Sequence, residues 1–148
     1  MKLEKALAHF GYPVSDGIFA DIGASTGGFS DVLLRSGAAF IYAIDVGHDQ
    51  LHASLQGDAR VQNMAGMNVR HITAAHFDRP LSSLVCDVSF INQEKALAAM
   101  LPLMPIDAWA IALEILWIKG SNSIEFVLEI IIGVSLELKL NTSNLMTN

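Results

Sequence analysis

The 148-residue sequence predicts an α/β domain with a doubly wound, mainly parallel sheet, and two observations lead to this class. Short runs such as GIFADIG (17–23) and FIYAIDVG (40–47) are apolar on both faces, as strands covered on both sides are. Segments with apolar residues at helical spacing alternate with these runs. Because right-handed helical crossovers connect parallel strands, this alternation leaves few other topologies.

In the N-terminal half, the apolar positions of KLEKALAHF recur at helical spacing, so we predict a leading helix that Gly11 and Pro13 end. The first strand follows, and FSDVLLRSGA then reads as a helix that Gly37 ends. The second strand reaches Asp45. HDQLHASLQ, residues 48–56, is predicted as the second crossover helix.

In the C-terminal half, ARVQNM predicts a third strand, LSSLVCDVSF a fourth and DAWAIAL a fifth. NQEKALAAMLPLM reads as a helix that Pro102 and Pro105 end. The domain is therefore expected to occupy residues 1–113, followed by a divergent apolar tail over 114–148. The apolar run of this tail is shorter than the ~20 residues that a membrane span requires. We expect the tail either to add the final antiparallel strands or to promote self-association.

Composition and charge exclude several classes of protein. The chain carries 9 Lys and Arg against 15 Asp and Glu, so it has no overall basic surface for nucleic acid, although a local basic patch remains open. Its one cysteine, Cys86, cannot form an intramolecular disulfide, and the N-terminus lacks the apolar core of a secretory signal. We therefore expect a cytoplasmic protein.

The strongest functional signal is the loop DIGASTGG after the first strand. Its glycines, Gly23, Gly27 and Gly28, let the backbone come close to a ligand, at the strand end where open α/β sheets bind ligands. Asp45 ends the second strand 22 residues after Gly23, close to the ~20-residue spacing at which an acid meets a ribose hydroxyl pair. The pattern favours an adenosine-containing cofactor over a plain tight turn.

The same loop discriminates among cofactors. Ser25 stands where the nicotinamide fingerprint has its second glycine, which makes room for a pyrophosphate. The negative charge of Asp21 would repel a phosphate but attract an amino group or a sulfonium. These features disfavour a nicotinamide-dependent dehydrogenase and favour S-adenosylmethionine.

DIGASTGGFSDVLLRSGA, together with YAIDVG, NVRHIT and CDVSFI, closely resembles the TlyA-type hemolysin family, which belongs with the FtsJ-like ribosomal RNA 2′-O-methyltransferases. The resemblance covers residues 2–113. It implies a Rossmann-like class I methyltransferase fold with S-adenosylmethionine as methyl donor. It also implies that the methyl acceptor is a ribose 2′-hydroxyl of ribosomal RNA, either free or within a ribosomal subunit.

The resemblance also assigns roles to particular residues. Of the family's catalytic set Lys-Asp-Lys-Glu, Lys2 matches the first lysine and Asp87 matches the aspartate. An amine beside a carboxylate can orient a 2′-hydroxyl and take its proton during in-line attack on a methyl group. The residues that match the family's cofactor site are Asp21, Gly23, Ser25, Gly27 and Gly28 in the loop, Asp45 for the ribose and Asn68 for the adenine pocket.

The sequence departs from the family pattern after the fifth strand. The family continues there with Lys-Pro-Gln-Phe-Glu, whereas Glu114 stands in this chain where the second lysine is expected, and no final glutamate can be matched. We expect a truncated relative that lacks the family's N-terminal RNA-binding module and its C-terminal catalytic motifs. The alternative to an active enzyme is a catalytically impaired module that retains the S-adenosylmethionine pocket.

Three further residue types have competing interpretations. His48 and His52 are four residues apart, which on a helix could hold zinc, but a third ligand is not evident and no metal is expected. Cys86, on a buried strand, is expected to be a core residue and not a nucleophile. Arg70 can reach either an RNA phosphate or an acidic neighbour, and the sequence leaves both readings open.

Overall fold

The computed structural model describes residues 2–105, 108–112 and 130–133, which form a six-stranded sheet with helices on both faces. The strands are β1 (Ile18–Ile22), β2 (Phe40–Asp45), β3 (Val61–Ala65), β4 (Ser83–Cys86), β5 (Trp109–Ala112) and β6 (Ile130–Gly133). The helices are α1 (Lys2–Phe10), α2 (Gly28–Arg35), α3 (Ala53–Gln56) and α4 (Phe90–Met100), with 3₁₀ turns at Val69–His71, Ala74–His76 and Leu101–Leu103.

The strand order β3-β2-β1-β4-β5-β6 confirms the predicted doubly wound sheet. Strands β1 to β5 pair in parallel, and β6 pairs antiparallel with β5. The chain moves from β1 to one edge of the sheet and then returns to continue on the other side, so the order reverses between β1 and β4. The carboxyl ends of these two strands therefore form the crevice where such sheets bind ligands.

Each face of the sheet has its own apolar core, because successive strand side chains point to opposite faces. Phe19 belongs to the core that α1 and α2 cover, where the predicted inward residues Val32, Leu33 and Leu34 are buried. Ile22 belongs to the core that α4 covers. These two cores confirm that the strands are covered on both sides.

The second crossover helix is shorter than the predicted span 48–56. It covers only Ala53–Gln56, because His52 lies outside it as the N-cap and accepts a hydrogen bond from the backbone N–H of Ser54 at 3.2 Å. Asp49 adopts a left-handed backbone conformation with φ 55°, which is incompatible with a helix. His48 and His52 therefore do not share a helical face.

The described ranges can also be compared with the requirements of a membrane-spanning helix and of a metal site. None of the helices there is both long and apolar enough to cross a membrane. No group of three or more His, Cys, Asp or Glu side chains in those ranges is arranged to hold a metal ion.

Candidate functional site

A cavity of about 390 Å³ opens at the carboxyl ends of β1, β2 and β4, where the strand order reverses. This volume is within the range of small-molecule and cofactor sites. Four parts of the chain line the cavity: the loop after β1, the end of β2, the 3₁₀ turn after β3, and the segment from β4 into α4. Of the predicted site residues, Gly23, Ser25, Asp45, Asn68 and Asp87 line it.

Glycines shape the loop between β1 and α2. Gly23 has φ 74°, and a Cβ atom there would lie 2.5 Å from Val88 Cγ1 and 2.7 Å from the carbonyl oxygen of Asp87. Gly27 has φ 97°, and its Cβ would overlap the side chain of Leu55 on α3. A larger residue at position 23 would push the loop away from the end of β4, so this part of the cavity depends on Gly23, whereas Gly27 does not line the cavity and allows the left-handed turn into α2.

Asp45 joins the loop after β1 to the end of β2. One of its carboxylate oxygens accepts a hydrogen bond from the backbone N–H of Ser25 at 2.7 Å, and the other accepts one from the backbone N–H of Gly47 at 2.8 Å. The first bond helps to hold Ser25 at φ 52°, which is unfavourable for a residue with a side chain. Since a carboxylate oxygen has two lone pairs, both oxygens of Asp45 can still accept hydrogen bonds from a ligand.

The wall beside Asp45 is largely apolar. Val46 is 71% exposed although it is hydrophobic, and it lines the cavity with Met67 and Val69. Asn68 caps the following 3₁₀ turn, because its Oδ1 accepts a hydrogen bond from the backbone N–H of Arg70 at 3.0 Å. Its side-chain NH₂ group remains a donor, so this wall can hold a flat apolar ring and recognise one acceptor on it.

Asp21 is fully buried and does not line the cavity. It lies behind the loop, on the α2 face of the sheet, where one carboxylate oxygen accepts a hydrogen bond from Ser30 Oγ at 2.7 Å. Among the described residues no group hydrogen-bonds its other oxygen, Oδ1. Burial disfavours the charged form and raises the pKa of Asp21 to about 7.

Asp21→Asn is expected to change how stability depends on pH. Because the folded state raises the pKa of Asp21 from 3.8 to about 7, the folded protein keeps a proton that the unfolded chain loses between these values. The free energy of unfolding should therefore fall as pH rises, by about 2–3 kcal/mol between about pH 5 and about pH 8. The variant has no such proton to lose, so this decrease should disappear.

Urea unfolding at several pH values measures this effect. Asp58, whose pKa the hydrogen-bonded Arg60 side chain lowers to about 2, titrates below this window and does not contribute. Parallel pH profiles for the parent and Asp21→Asn would show that Asp21 is ionised in the folded protein across the whole range.

The two predicted catalytic residues have different positions. Asp87 follows β4, its backbone N–H donates to the carbonyl of Ile22 at 3.0 Å, and its exposed side chain lines the cavity beside the loop. Lys2 begins α1, on the opposite side of the sheet from α4, and is not among the residues lining the cavity. Glu114 lies outside the described residues.

Three residues that were not predicted from the sequence also line the cavity: Val46, Asn92 and Lys95. Val46 had a usable signal, since it directly follows the acid that ends β2. Asn92 and Lys95 reach the site because α4 follows β4 and packs against the 3₁₀ turn Val69–His71, and no local pattern predicts that contact. Cys86 is a buried core residue as expected, and burial raises the pKa of its thiol to about 12.

The strand order, the glycine loop against β4 and the carboxylate at the end of β2 define a Rossmann-like α/β domain with a candidate ligand site at the reversal of strand order. Within this class the chain belongs to the FtsJ-like methyltransferase family, whose model matches residues 1–136.

Individual relatives agree with this assignment. The chain is 48% identical over 95 residues to hemolysin A of Brachyspira hyodysenteriae, a match that covers 64% of this chain and 40% of the relative. It is 40% identical over 107 residues to the 16S/23S rRNA (cytidine-2′-O)-methyltransferase TlyA of Mycobacterium tuberculosis. This match covers 72% of this chain and 40% of that relative. A solved structure from Streptococcus thermophilus is 45% identical with a TM-score of 0.72, covering 76% of this chain and 41% of that one. The chain thus spans less than half the length of these relatives.

Proposed function

We propose that this chain binds S-adenosylmethionine and transfers its methyl group to a ribose 2′-hydroxyl of ribosomal RNA, free or within a ribosomal subunit, in the cytoplasm. The observation that carries the proposal is the cavity at the reversal of strand order, where Asp45 and the glycine loop meet. Membership of the FtsJ-like methyltransferase family supports the reaction class, and the M. tuberculosis relative is named for 2′-O-methylation of ribosomal RNA.

The residues at the cavity fit this cofactor. Asp45 would accept hydrogen bonds from the two ribose hydroxyls, because its oxygens keep free lone pairs beside their contacts with Ser25 and Gly47. Val46 and Met67 would contact the adenine ring, and the side-chain NH₂ of Asn68 would donate to a ring nitrogen. The loop backbone at 23–25 would lie against the methionine part.

Asp21 has an indirect role in this proposal. It holds Ser30 in the first turn of α2 and so fixes where the loop ends. Its Oδ1, which lacks a partner among the described residues, lies behind the loop that would bind the methionine part. Above its pKa of about 7, the ionised carboxylate disfavours an anionic ligand such as a pyrophosphate and favours a cationic one.

Asp87 is the residue proposed to act on the methyl acceptor. When bound, the cofactor supplies an electrophilic methyl group. Asp87 would orient the attacking 2′-hydroxyl and accept its proton as the oxygen–methyl bond forms and the sulfur–methyl bond breaks. Lys2 stays a prediction from the family resemblance, and to take part it would have to reach a ribose from the α1 side of the sheet.

Asp45→Asn tests the cofactor site. The substitution keeps the shape of the side chain but removes its charge and one acceptor, so S-adenosylmethionine binding should weaken by about 1.5–3 kcal/mol, or roughly 10- to 150-fold in Kd. Isothermal titration calorimetry measures this change. Asp49→Asn is the matched control, since Asp49 is exposed, lies outside the cavity lining and has a left-handed conformation that Asn also tolerates. Equal affinities of the parent and Asp45→Asn for S-adenosylmethionine would show that Asp45 does not bind the ribose.

A further inference from the structure

Two cations, Arg70 and Lys95, line the same side of the cavity. Arg70 is on the 3₁₀ turn Val69–His71 and Lys95 is on α4, and both are exposed. The 3₁₀ turn and α4 pack against each other, so the two side chains come from adjoining parts of one wall. Asn92, one helical turn before Lys95, lines the same wall and adds an amide donor. We call this surface the 3₁₀–α4 wall.

Neither Arg70 nor Lys95 forms an ion pair with any residue that the structure describes. Other arginines in those ranges do have partners. Arg35 and Arg60 contact carboxylates at 2.8–3.0 Å, and the guanidinium of Arg79 lies 4.0 Å from the centre of the Phe40 ring. In a chain with a net charge of −6, the 3₁₀–α4 wall is therefore a local positive surface beside the candidate site.

The rest of the cavity has the opposite charge. Asp45 and Asp87 line the side formed by the strand ends. An anionic strand that entered the cavity would be repelled from these acids and attracted to the 3₁₀–α4 wall. A guanidinium with several donors beside a flexible ammonium group is a combination suited to phosphate oxygens.

We propose that Arg70 and Lys95 bind backbone phosphates of the RNA substrate and so direct its strand into the cavity along the 3₁₀–α4 wall. The inference rests on the proposed function and adds the route by which the acceptor nucleotide reaches Asp87. It also resolves the two readings of Arg70, because the described residues give it no acidic partner. The other source of an anionic group is the carboxylate of the cofactor, and the experiment distinguishes the two.

The test uses the double variant Arg70→Ala/Lys95→Ala and a control, Lys5→Ala/Arg60→Ala. The control removes the same charge from exposed positions that do not line the cavity. Binding of a fluorescently labelled single-stranded RNA of mixed sequence is measured by anisotropy from about 50 to about 200 mM salt, and S-adenosylmethionine binding by calorimetry. Loss of two phosphate contacts should reduce the slope of log K against log salt by roughly 1.4. We expect RNA affinity to fall about tenfold at the lowest salt, with cofactor affinity unchanged and the control equal to the parent.

A charge-conserving double variant, Arg70→Lys/Lys95→Arg, should keep the parent's salt slope. It controls for the possibility that the alanine variant loses RNA affinity through a folding defect. An unchanged slope in Arg70→Ala/Lys95→Ala would overturn the inference, and so would weaker cofactor binding with unchanged RNA binding. A parent that binds S-adenosylmethionine but not this RNA probe would overturn the inference and leave the cofactor part of the proposed function standing. A parent that binds RNA through these two residues but no S-adenosylmethionine would overturn the proposed function instead.

Discussion

Asp87→Asn should reduce methyl transfer to ribosomal RNA by about 10²- to 10⁴-fold, the contribution typical of a positioned general base. The reason is that Asn keeps the size of the side chain but cannot accept the 2′-hydroxyl proton. Asp87 is the one predicted catalytic residue that lines the cavity, beside the loop proposed to bind the cofactor. The measurement is the rate of transfer from labelled S-adenosylmethionine to isolated ribosomal RNA and to assembled subunits, at saturating cofactor.

Two comparisons make this experiment specific. Asp49→Asn should retain the parent's rate, since it makes the same chemical change outside the cavity lining. Cofactor binding by Asp87→Asn should stay within about threefold of the parent, so that the loss is in the rate and not in occupancy. A variant that keeps more than about a tenth of the parent's rate would exclude Asp87 as the base. A parent that binds the cofactor but methylates neither substrate would favour the impaired binding module instead.

Gly23→Ala should destabilise the domain by about 2–4 kcal/mol and greatly weaken cofactor binding. Part of the cost is the left-handed backbone at φ 74°, and the larger part is overpacking, typically 1–3 kcal/mol. The new methyl group would lie 2.5 Å from Val88 Cγ1 and 2.7 Å from the carbonyl oxygen of Asp87. The loop would therefore have to move away from the end of β4, which opens the cavity's floor.

Gly11→Ala separates the two costs. Gly11 also has a left-handed conformation, at φ 63°, but a Cβ atom there would have no neighbour within 4 Å. The free energy of unfolding of the Gly11→Ala variant should fall by only about 1 kcal/mol, which is the cost of the backbone conformation. Urea unfolding of both variants measures the difference, and equal losses would show that the contact with Val88 and Asp87 does not constrain the loop.

Hydrophobic patterning predicted most of the fold correctly because the strands are covered on both sides. A run such as FIYAID can be buried on both faces only between two layers of helices, and β2 is that run. The error at residues 48–56 has a local cause. His52 accepts a hydrogen bond from the backbone N–H of Ser54 from outside the helix, and Asp49 has a left-handed conformation. Residues 48–52 therefore form a turn, and the helix begins only after them.

Asp21 shows that a sequence motif predicts the position of a residue along a strand but not the face of the sheet on which its side chain lies. The sequence indicates an acid at the end of β1, but the side-chain alternation of the strand turns it towards α2, where Ser30 donates to it. Loop spacing does not reveal which face a strand-end residue occupies. Asp45 was correctly expected at the end of the second strand, whereas its bond to Ser25, 20 residues earlier in the chain, depends on two parallel strands lying side by side.

By itself, the sequence determined the α/β class, the glycine loop and the acids at the strand ends, because these follow from local periodicity and from backbone conformations that few residues adopt. Tertiary structure alone decided which of these groups share a cavity. Packing of α4 against the 3₁₀ turn after β3 brought Lys95 and Arg70 to the same wall, and the choice of sheet face removed Asp21 from the cavity lining. The physical reason is that strand register and helix packing decide which residues lie close together across a sheet, and these residues are distant in the chain.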